Sequence, residues 1–303
     1  MLPLLLPWIV IALPIATFIL LFCKKWRVAV LLIVLLVVVN WWSECIPFRL
    51  WPLCEKSGSR SIKVLTFNIC STKVDISKKA EKLVKIIVDN SPDIIYVAEI
   101  NKHNKRLLDT LLINYFPYTY CCYSHGFYSK YPLPERITLE GDHIKKGRVV
   151  KCLVVKGTDT LVFYGCHLAS NNYSADSKYI TPDSIKSHST LVQYFKNISQ
   201  AYNKRIRAAS VITRDVSKIE KPVIVLGDMN DVGGSKTIRL MESIGLKDVW
   251  WEGGFGYGAT IHNPLPYRID HIMYTNQFKL NRVKVVSSEG LSDHDALFAE
   301  FSY

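Results

Sequence analysis

Residues 222–231 read PVIVLGDMND, and this segment decides the fold class. After the proline, four apolar and mostly β-branched residues form a run of strand length, which a glycine separates from Asp228, Asn230 and Asp231. Short apolar runs bounded by turn residues indicate buried strands. In open α/β sheets, ligands bind beyond the ends of such strands. The segment therefore predicts an α/β fold with a polar site at a strand end.

Five further places in the chain show polar residues at the boundary of an apolar run. For any one of them a turn or a structural role is the ordinary explanation, because Asp and Asn are frequent turn residues. Six such boundaries of matching chemistry in one domain favour a common site instead. Their oxygen atoms suit a hard cation such as Mg²⁺, and the sequence lacks the thiolate and histidine spacing of zinc sites. The further residues are Asn68, Glu99, His167, Asp270, Asp293 and His294.

Strand and helix patterns alternate along residues 61–303. Apolar runs rich in β-formers predict strands, and apolar residues at helical spacing predict helices, with Ser77 as one helix cap. This interleaving predicts sheets flanked by helices in layers. The predicted strands are 61–68, 93–98, 149–155, 160–166, 222–226, 268–274, 282–286 and 296–301. The predicted helices are 78–90, 103–113, 185–216 and 235–244.

The polar boundaries belong to an ordered series of short motifs. These are LTFN (65–68), PDII (92–95) leading to Glu99, SKYP (129–132), CHL (166–168), GDMND (227–231), RIDHI (268–272) and SDH (292–294). The series resembles the endonuclease/exonuclease/phosphatase superfamily, which includes deoxyribonuclease-like enzymes, abasic-site endonucleases, inositol-polyphosphate phosphatases and neutral sphingomyelinases. The resemblance implies a four-layer α/β sandwich, with two mixed β-sheets packed face to face and helices outside.

The resemblance also implies a metal-dependent phosphoric ester hydrolase that uses Mg²⁺, with Mn²⁺ as an alternative. Glu99 would be the principal metal ligand, and Asn68 and Asp293 would lie close to the same ion. One departure concerns the first motif. Asn68 is followed by Ile69 and Cys70, whereas many nucleases of this family place further polar residues there.

Five residues would carry catalytic roles under the same resemblance. Asp228 would orient or deprotonate the attacking water, and Asn230 would hold that water or a phosphate oxygen. His294 would contact the scissile phosphate, with its tautomer fixed by Asp270. His167 would be a second phosphate contact or the acid near the leaving oxygen. Together these groups would stabilise in-line attack of water on phosphorus.

The first 42 residues differ from the rest because they contain two long apolar runs. Residues 2–22 are uncharged and long enough to cross a hydrocarbon core of about 30 Å. Residues 28–39 form a shorter run that ends near Trp41 and Trp42, placed as an interfacial belt. A secretory signal peptide is the alternative for the first run, but that run lacks a basic start and a second run follows it. We expect a transmembrane helical hairpin at 1–42, a linker at 43–60 and the catalytic domain at 61–303.

The densest basic cluster of the N-terminal region is Lys24, Lys25 and Arg27, between the two apolar runs. The positive-inside rule places such a cluster in the cytoplasm. Both termini would then lie outside. The sequence therefore predicts a multi-pass cell-membrane protein of bacterial type with an extracytoplasmic catalytic domain.

The net charge is +12, and the residues after position 60 hold 32 basic and 24 acidic groups, a net +8. A basic domain favours an anionic partner, although scattered basic groups can simply aid solubility. Phosphate neutralisation drives nonspecific binding of nucleic acid, so a nuclease is the leading expectation. A lipid or headgroup phosphodiesterase of sphingomyelinase or inositol-phosphatase type is the alternative, because the tether holds the site near a bilayer. A catalytically silent membrane interaction protein is the alternative of another class, and no protein partner is predicted.

Two remaining features leave alternatives open. Cys45 and Cys54 lie close together in sequence and could form a disulfide in an oxidising compartment. The eight cysteines contain no C-x-x-C pair, so a zinc framework is not expected.

Residues 253–260 read GGFGYGAT and could either approach a phosphate backbone closely or form a flexible surface loop.

Overall fold

Two six-stranded mixed sheets form the centre of the computed structural model. The structure describes residues 2–56, 58, 60–70, 80–140, 144, 148–171, 188–262 and 265–303. The strands within these ranges are β1 (Ser61–Asn68), β2 (Ile94–Ala98), β3 (Tyr118–Cys122), β4 (His125–Ser129), β5 (Arg136–Thr138), β6 (Val149–Lys156), β7 (Asp159–His167), β8 (Val223–Asp228), β9 (Lys247–Asp248), β10 (Asp270–Tyr274), β11 (Lys279–Val286) and β12 (Ala296–Ser302).

The two sheets share one arrangement of strands. The first has the order β11-β12-β1-β2-β4-β3, and the second has the order β5-β6-β7-β8-β10-β9. Each has a parallel pair at its centre, β1 with β2 and β7 with β8. Antiparallel neighbours flank both pairs. Predicted site residues lie at the carboxyl ends of these parallel pairs: Asn68 ends β1 in the first sheet, and His167 and Asp228 end β7 and β8 in the second.

A core of buried apolar side chains fills the space between the sheets. Tyr96 of β2 lies over Gly165 of β7, where a Cβ atom would be 2.2 Å from the Tyr96 ring. Only glycine fits at this position, because any side chain would overlap the ring. Other core members are Val64 and Leu297 of the first sheet and Phe163, Leu226 and Ile272 of the second.

The helices of the described residues are α1 (Leu2–Phe22), α2 (Trp26–Ser43), α3 (Ala80–Asp89), α4 (Lys102–Leu112), α5 (His188–Val216), α6 (Lys236–Glu242) and α7 (Val249–Gly253). Four of them, α3 to α6, cover the outer faces of the two sheets. The apolar sides of α3 and α4 pack on the first sheet, and those of α5 and α6 pack on the second. The resulting order of helices, sheet, sheet and helices is the four-layer α/β sandwich, so the predicted fold class is confirmed.

The strands and helices predicted from the sequence are present, with ends displaced by a few residues. Ser77 and residues 185–187, predicted as a cap and a helix start, lie outside the described residues. The sequence pattern missed β3, β4, β5, β9 and α7. The turn between β3 and β4 contains Tyr123 at φ +54°, and no glycine, asparagine or proline marks it. Hairpin prediction relies on those residues, so this turn gave no signal.

The two N-terminal helices pack against each other as a hairpin. Both are long and apolar enough to cross a membrane, and most of their large apolar side chains are exposed. The short turn between them contains Lys24 and Lys25. A helix in the core of a soluble protein buries its apolar face, which these helices do not.

The segment predicted to be a linker, 43–60, contacts the α/β domain. The Leu53 amide donates a hydrogen bond to the carbonyl of Gly253 at 2.8 Å. Glu44 accepts a hydrogen bond from Arg239 Nη1 at 2.6 Å. These contacts fix the exit of the hairpin on the surface of the domain.

The disulfide considered from the sequence is not formed. Both Cys45 and Cys54 are free thiols, the first buried and the second exposed.

The glycine-rich stretch at 253–260 packs around a tryptophan. A Cβ atom at Gly258 would lie 2.1 Å from the Trp250 ring, and the Trp250 indole donates to the Gly256 carbonyl at 3.0 Å. The glycines therefore serve this close packing, which neither alternative from the sequence anticipated.

A buried ion pair joins α5 to the segment that follows β8. The side chains of Arg205 and Asp231 are each 1% exposed, with Arg205 Nε 3.2 Å from Asp231 Oδ2. Arg205 also donates to the Ala169 carbonyl and to Asn171 Oδ1. Asp231 accepts from Thr237 Oγ1 at 2.7 Å, at the start of α6. Arg205 and Asp231 thereby tie together α5, α6 and the segment after β7.

Replacing Arg205 with methionine is expected to destabilise the protein by about 3–5 kcal/mol, because the Asp231 charge would remain buried without its partner. Urea unfolding of the full chain in detergent measures the change. Arg60→Met is the matched control, since Arg60 pairs with Asp159 at the surface and such pairs contribute about 1 kcal/mol or less. Equal losses in the two variants would contradict the structural role of the buried pair.

Candidate active site

Three predicted site residues form a row across the second sheet. His167 lies opposite Asp228 in the parallel pair of β7 and β8, and Asp270 lies opposite Asp228 in the antiparallel pair of β8 and β10. Adjacent strands in a sheet are about 4.8 Å apart, so the register alone brings these three residues side by side. All three are buried. Strand pairing therefore sets the spacing of the row.

The chain reaches Asp228 through a glycine that the geometry requires. Gly227 has φ +136°, a conformation that side-chain-bearing residues rarely adopt. A Cβ atom there would lie 1.9 Å from the Cys166 carbonyl oxygen of the paired strand. The backbones of β7 and β8 thus approach closely just before the row.

The first sheet contributes Asn68 and Glu99 from the ends of its parallel pair. Asn68 is the last residue of β1 and lies opposite Ala98, so that Glu99 follows directly on the neighbouring strand. Asn68 Nδ2 donates to Glu99 Oε1 at 3.3 Å and to Asp228 Oδ2 at 3.0 Å. The Asn68 amide therefore connects carboxylates from the two sheets.

Glu99 has a left-handed backbone conformation, with φ +58°. A residue other than glycine in this conformation costs on the order of 1 kcal/mol, and such strain concentrates at functional sites. The Glu99 side chain is 29% exposed, whereas that of Asp228 is 2% exposed. Glu99 is thus the carboxylate with the greater access to a ligand from solvent.

His294 and Asp270 form a buried hydrogen-bonded pair. Asp270 Oδ2 lies 2.8 Å from His294 Nδ1, which donates, and the opposite nitrogen Nε2 lies 3.9 Å from Asp228 Oδ2. The backbone holds both partners in place. Thr260 Oγ1 accepts from the Asp270 amide at 3.1 Å, and Ser292 Oγ accepts from the His294 amide at 3.1 Å.

His167 lies between Glu99 and Asp228. Its Nε2 is 3.4 Å from Glu99 Oε1 and 3.7 Å from Asp228 Oδ2. On the other side of the ring, Arg148 Nη1 lies 3.4 Å from His167 Nδ1. A guanidinium group only donates, so Nδ1 accepts and Nε2 carries the proton. The protonated nitrogen of His167 is therefore the one that lies next to the Glu99 and Asp228 carboxylates.

Burial and neighbouring charges hold the two histidines in opposite protonation states. Burial lowers the pKa of His167 well below its usual value, and the Arg148 charge lowers it further. Burial also opposes protonation of His294, but the Asp270 carboxylate outweighs it and raises the His294 pKa to about 10. Burial and the Asp270 charge raise the pKa of Asp228. At neutral pH the site holds a neutral His167 and a cationic His294.

Asp293 and Asn230 lie at the edge of the same cluster. Asp293 directly precedes His294, and its charge also raises the His294 pKa. The backbone N–H of Asn230 donates to Asp228 Oδ1 at 2.8 Å, and the Asn230 side-chain amide donates to the Leu168 carbonyl at 3.2 Å. All eight residues named from the sequence therefore lie together in the structure.

The chemistry of the donor set fits a hard divalent cation. Among the described residues, Asp228, Asp270 and His294 form a group whose ligand-type atoms lie within 4.8 Å of one another. Within this group, His294 and Asp270 form a hydrogen bond with each other, which fits a role in which Asp270 orients His294 rather than one in which both bind a metal. Glu99 adds a carboxylate from the first sheet to the Asp228 carboxylate of the second, and carboxylate oxygens are ligands that a hard cation prefers.

Asn68 presents its amide N–H groups to these carboxylates. Its Oδ1 accepts a hydrogen bond from the Cys70 amide at 3.0 Å, which fixes the orientation. Asn68 therefore positions Glu99 and Asp228 directly.

Three residues beside the site carried no recognisable motif in the sequence. Arg148 directly precedes β6, and its guanidinium also donates to the His167 carbonyl. The His125 ring centroid lies 5.2 Å from that of His167, and Tyr96 stacks on His125 at 6.2 Å. Burial and Arg148 lower the pKa of His125 to about 4. Sheet register places His125 opposite Ala98, and only the register reveals its position.

Comparison with known proteins gives one family and a group of structural relatives. Residues 65–294 match the model of the Endonuclease/Exonuclease/phosphatase family. Comparison with curated proteins gives no significant match.

Three solved structures show the same fold. Humanized D. rerio TDP2 with 14 mutations has a TM-score of 0.61 and 15% identity, over 80% of this chain and 99% of that one. D. rerio TDP2 complexed with single strand DNA product has a TM-score of 0.59 and 13% identity, over 80% and 99%. The 3'-5' exonuclease NExo from Neisseria meningitidis has a TM-score of 0.56 and 15% identity, over 80% and 100%.

At these identities the structural likeness establishes the fold. The family match covers most of the chain and contains every predicted site residue, from Asn68 to His294. The chain therefore belongs to the endonuclease/exonuclease/phosphatase family, whose members are metal-dependent phosphoesterases.

Proposed function

We propose that the chain is a membrane-anchored, Mg²⁺-dependent phosphodiesterase that hydrolyses its substrate by in-line attack of water. The observation that supports this proposal is a series of contacts across the two sheets. Asn68 donates to Glu99 and to Asp228, and Asp228 lies next to the hydrogen-bonded pair of His294 and Asp270. The neutral imidazole of His167 and the cationic imidazole of His294 lie 3.7 Å and 3.9 Å from Asp228 Oδ2, and this combination of donors and anionic oxygens supports phosphoryl transfer.

Glu99 is the principal ligand for the ion in this proposal, with Asp293 and Asn68 Oδ1 close to it. When bound, Mg²⁺ supplies Lewis-acid neutralisation of charge on the phosphate. The accessibility of Glu99 and its strained backbone support this role. Asn68 keeps the Glu99 carboxylate in position through its Nδ2 group.

Asp228 orients or deprotonates the attacking water. Hydrogen bonds from Asn68 and from the Asn230 amide hold its carboxylate, and its raised pKa makes it a better proton acceptor than an exposed aspartate. Asn230 holds the water or a phosphate oxygen. Cationic His294 donates from Nε2 to the phosphate, and His167 Nε2 is the second donor or the acid near the leaving oxygen.

Nucleic acid is the substrate class that we favour. The net +8 charge of the residues after position 60 suits a polyanion. Two structural relatives support it as well, since D. rerio TDP2 was solved with a single-stranded DNA product and NExo is a 3'-5' exonuclease.

A lipid headgroup is a second candidate because the hairpin lies next to the site. Trp8 Nε1 of α1 donates to the Tyr267 hydroxyl at 2.9 Å. Tyr267 pairs with Ile261, and Ile261 pairs with His294. A phosphodiester at a membrane surface would thus lie close to the catalytic groups.

The full chain in detergent is expected to cleave a phosphodiester with Mg²⁺ and to lose this activity in EDTA. A panel of DNA, RNA, abasic DNA, phosphoinositide and sphingomyelin separates the two substrate classes. Cleavage of nucleic acid supports the nuclease. Release of choline or inositol phosphate without nucleic acid cleavage would replace it with the lipid enzyme, and activity on none of the panel would count against both.

Two substitutions test the assigned roles on the substrate so identified. Glu99→Gln is expected to raise the Mg²⁺ concentration needed for half-maximal activity, because a principal ligand loses its charge. His294→Ala is expected to lower kcat by about 10²–10³-fold, the usual loss for one transition-state donor. Exposed Glu55 and exposed His262 provide the controls Glu55→Gln and His262→Ala. An unchanged Mg²⁺ requirement in Glu99→Gln would contradict the metal assignment.

Asp270→Asn is expected to move the alkaline limb of the kcat/KM profile to lower pH. Asp270 raises the pKa of His294 to about 10, so its neutralisation lets His294 lose its proton at a lower pH. The pH–rate profiles of wild type and variant measure the shift. Asp159→Asn, at an exposed pair on the β6–β7 turn, should leave the limb in place. An unmoved limb in Asp270→Asn would show that His294 is not the titrating donor.

We also propose that the catalytic domain is extracytoplasmic, from the basic residues in the turn of the hairpin. Cys23 at this turn and Cys54 beside the domain are both exposed. A membrane-impermeant maleimide is expected to label Cys54 in intact cells and Cys23 only after permeabilisation. The variants Cys23→Ser and Cys54→Ser assign the labelled sites, and the reverse pattern would place the domain in the cytoplasm.

A further inference from the structure

Five large apolar side chains are exposed where the hairpin meets the α/β domain. Their exposed fractions run from 46% to 82%. Three lie in the segment after α2, one lies in the loop around Trp250, and one lies two residues before Tyr267. This apolar rim consists of Phe48, Leu50, Trp51, Phe255 and Leu265.

Aromatic contacts join both helices of the hairpin to domain residues next to the rim. The Trp251 ring packs edge-on against Trp41 of α2 at 6.3 Å and against Phe48 at 6.1 Å. On the other side, Trp8 of α1 packs edge-on against Tyr267 at 6.0 Å and donates to its hydroxyl. The rim therefore has a fixed position relative to the helices.

The contact points along the helices give the depth of the rim. An α-helix rises 1.5 Å per residue, so Trp8 lies about 9 Å along α1 from Leu2. Trp41 lies about 3 Å from the end of α2 at Ser43 on the same scale. Tryptophans near the ends of spanning helices occupy the headgroup region. If the hairpin crosses a bilayer, Tyr267, which contacts Trp8, and Trp251, which contacts Trp41, also lie at the depth of the headgroup region.

The chemistry of the rim also fits a membrane interface. Exposed Arg49 stands between Phe48 and Leu50 in sequence. Aromatic and aliphatic side chains with an interspersed cation are the composition of surfaces that enter the interface and attract anionic headgroups. A cluster of exposed apolar side chains on a soluble surface marks an interaction site.

We propose that the apolar rim inserts into the headgroup layer of the leaflet that holds the ends of α1 and α2. The occupant of this surface is the lipid bilayer. The proposal rests on the membrane anchoring within the proposed function and is independent of the reaction. Because Ile261 pairs with both Tyr267 and His294, insertion holds the catalytic site next to the headgroup layer.

Fluorophore labels on single introduced cysteines test the insertion in the full chain. The background carries Cys23→Ser and Cys54→Ser, and its own labelling gives the baseline. The labelled positions are Phe255→Cys and Leu265→Cys in the rim, Phe18→Cys in α1, and Ile137→Cys on β5 at the far edge of the second sheet. The protein is reconstituted in vesicles of phosphatidylethanolamine and phosphatidylglycerol, with and without brominated acyl chains.

Both rim labels are expected to shift to the blue and to lose intensity in brominated vesicles, as the Phe18 label does. The Ile137 label should do neither, although Ile137 is 41% exposed and Leu265 is 46% exposed. Quenching at Phe18 with none at either rim position would overturn the rim proposal and leave the anchor intact. Absence of quenching at all positions would overturn the anchor and the rim together.

Discussion

The hydrogen bond from Asn68 to Asp228 is the contact on which the site depends. It joins the end of β1 in one sheet to the end of β8 in the other, at 3.0 Å between buried atoms. Sheets packed only through apolar side chains tolerate small relative displacements, whereas a buried bond to a carboxylate has strict geometry. Asn68 also donates to Glu99, and Asp270 lies opposite Asp228 in the pairing of β8 with β10, so the positions of these two carboxylates follow from the same bond.

Electrostatics then divide the site into parts with different roles. His167 and His294 are both buried, yet Arg148 stands beside one ring and Asp270 beside the other. The same residue type is therefore neutral at one position and cationic at the other at neutral pH. The site gains two kinds of hydrogen-bond donor from two histidines, and the Asp228 carboxylate lies between them.

Much of this arrangement could be predicted from the sequence because the information is local. An apolar run that ends in Asp228 or Asn68 is visible without any knowledge of its partner strand. Arg148 and His125 became site neighbours only through sheet register, which no local pattern encodes. The docking of segment 43–60 also escaped prediction, since the contact of Leu53 with Gly253 joins residues distant in sequence.

The left-handed backbone of Glu99 affects which substitutions this position can accept without strain. Every glutamate codon is one nucleotide from a glycine codon, and glycine would adopt this conformation without strain. A lineage that used the protein only as a scaffold would gain stability from that single step. That same step would remove the Glu99 carboxylate from the site.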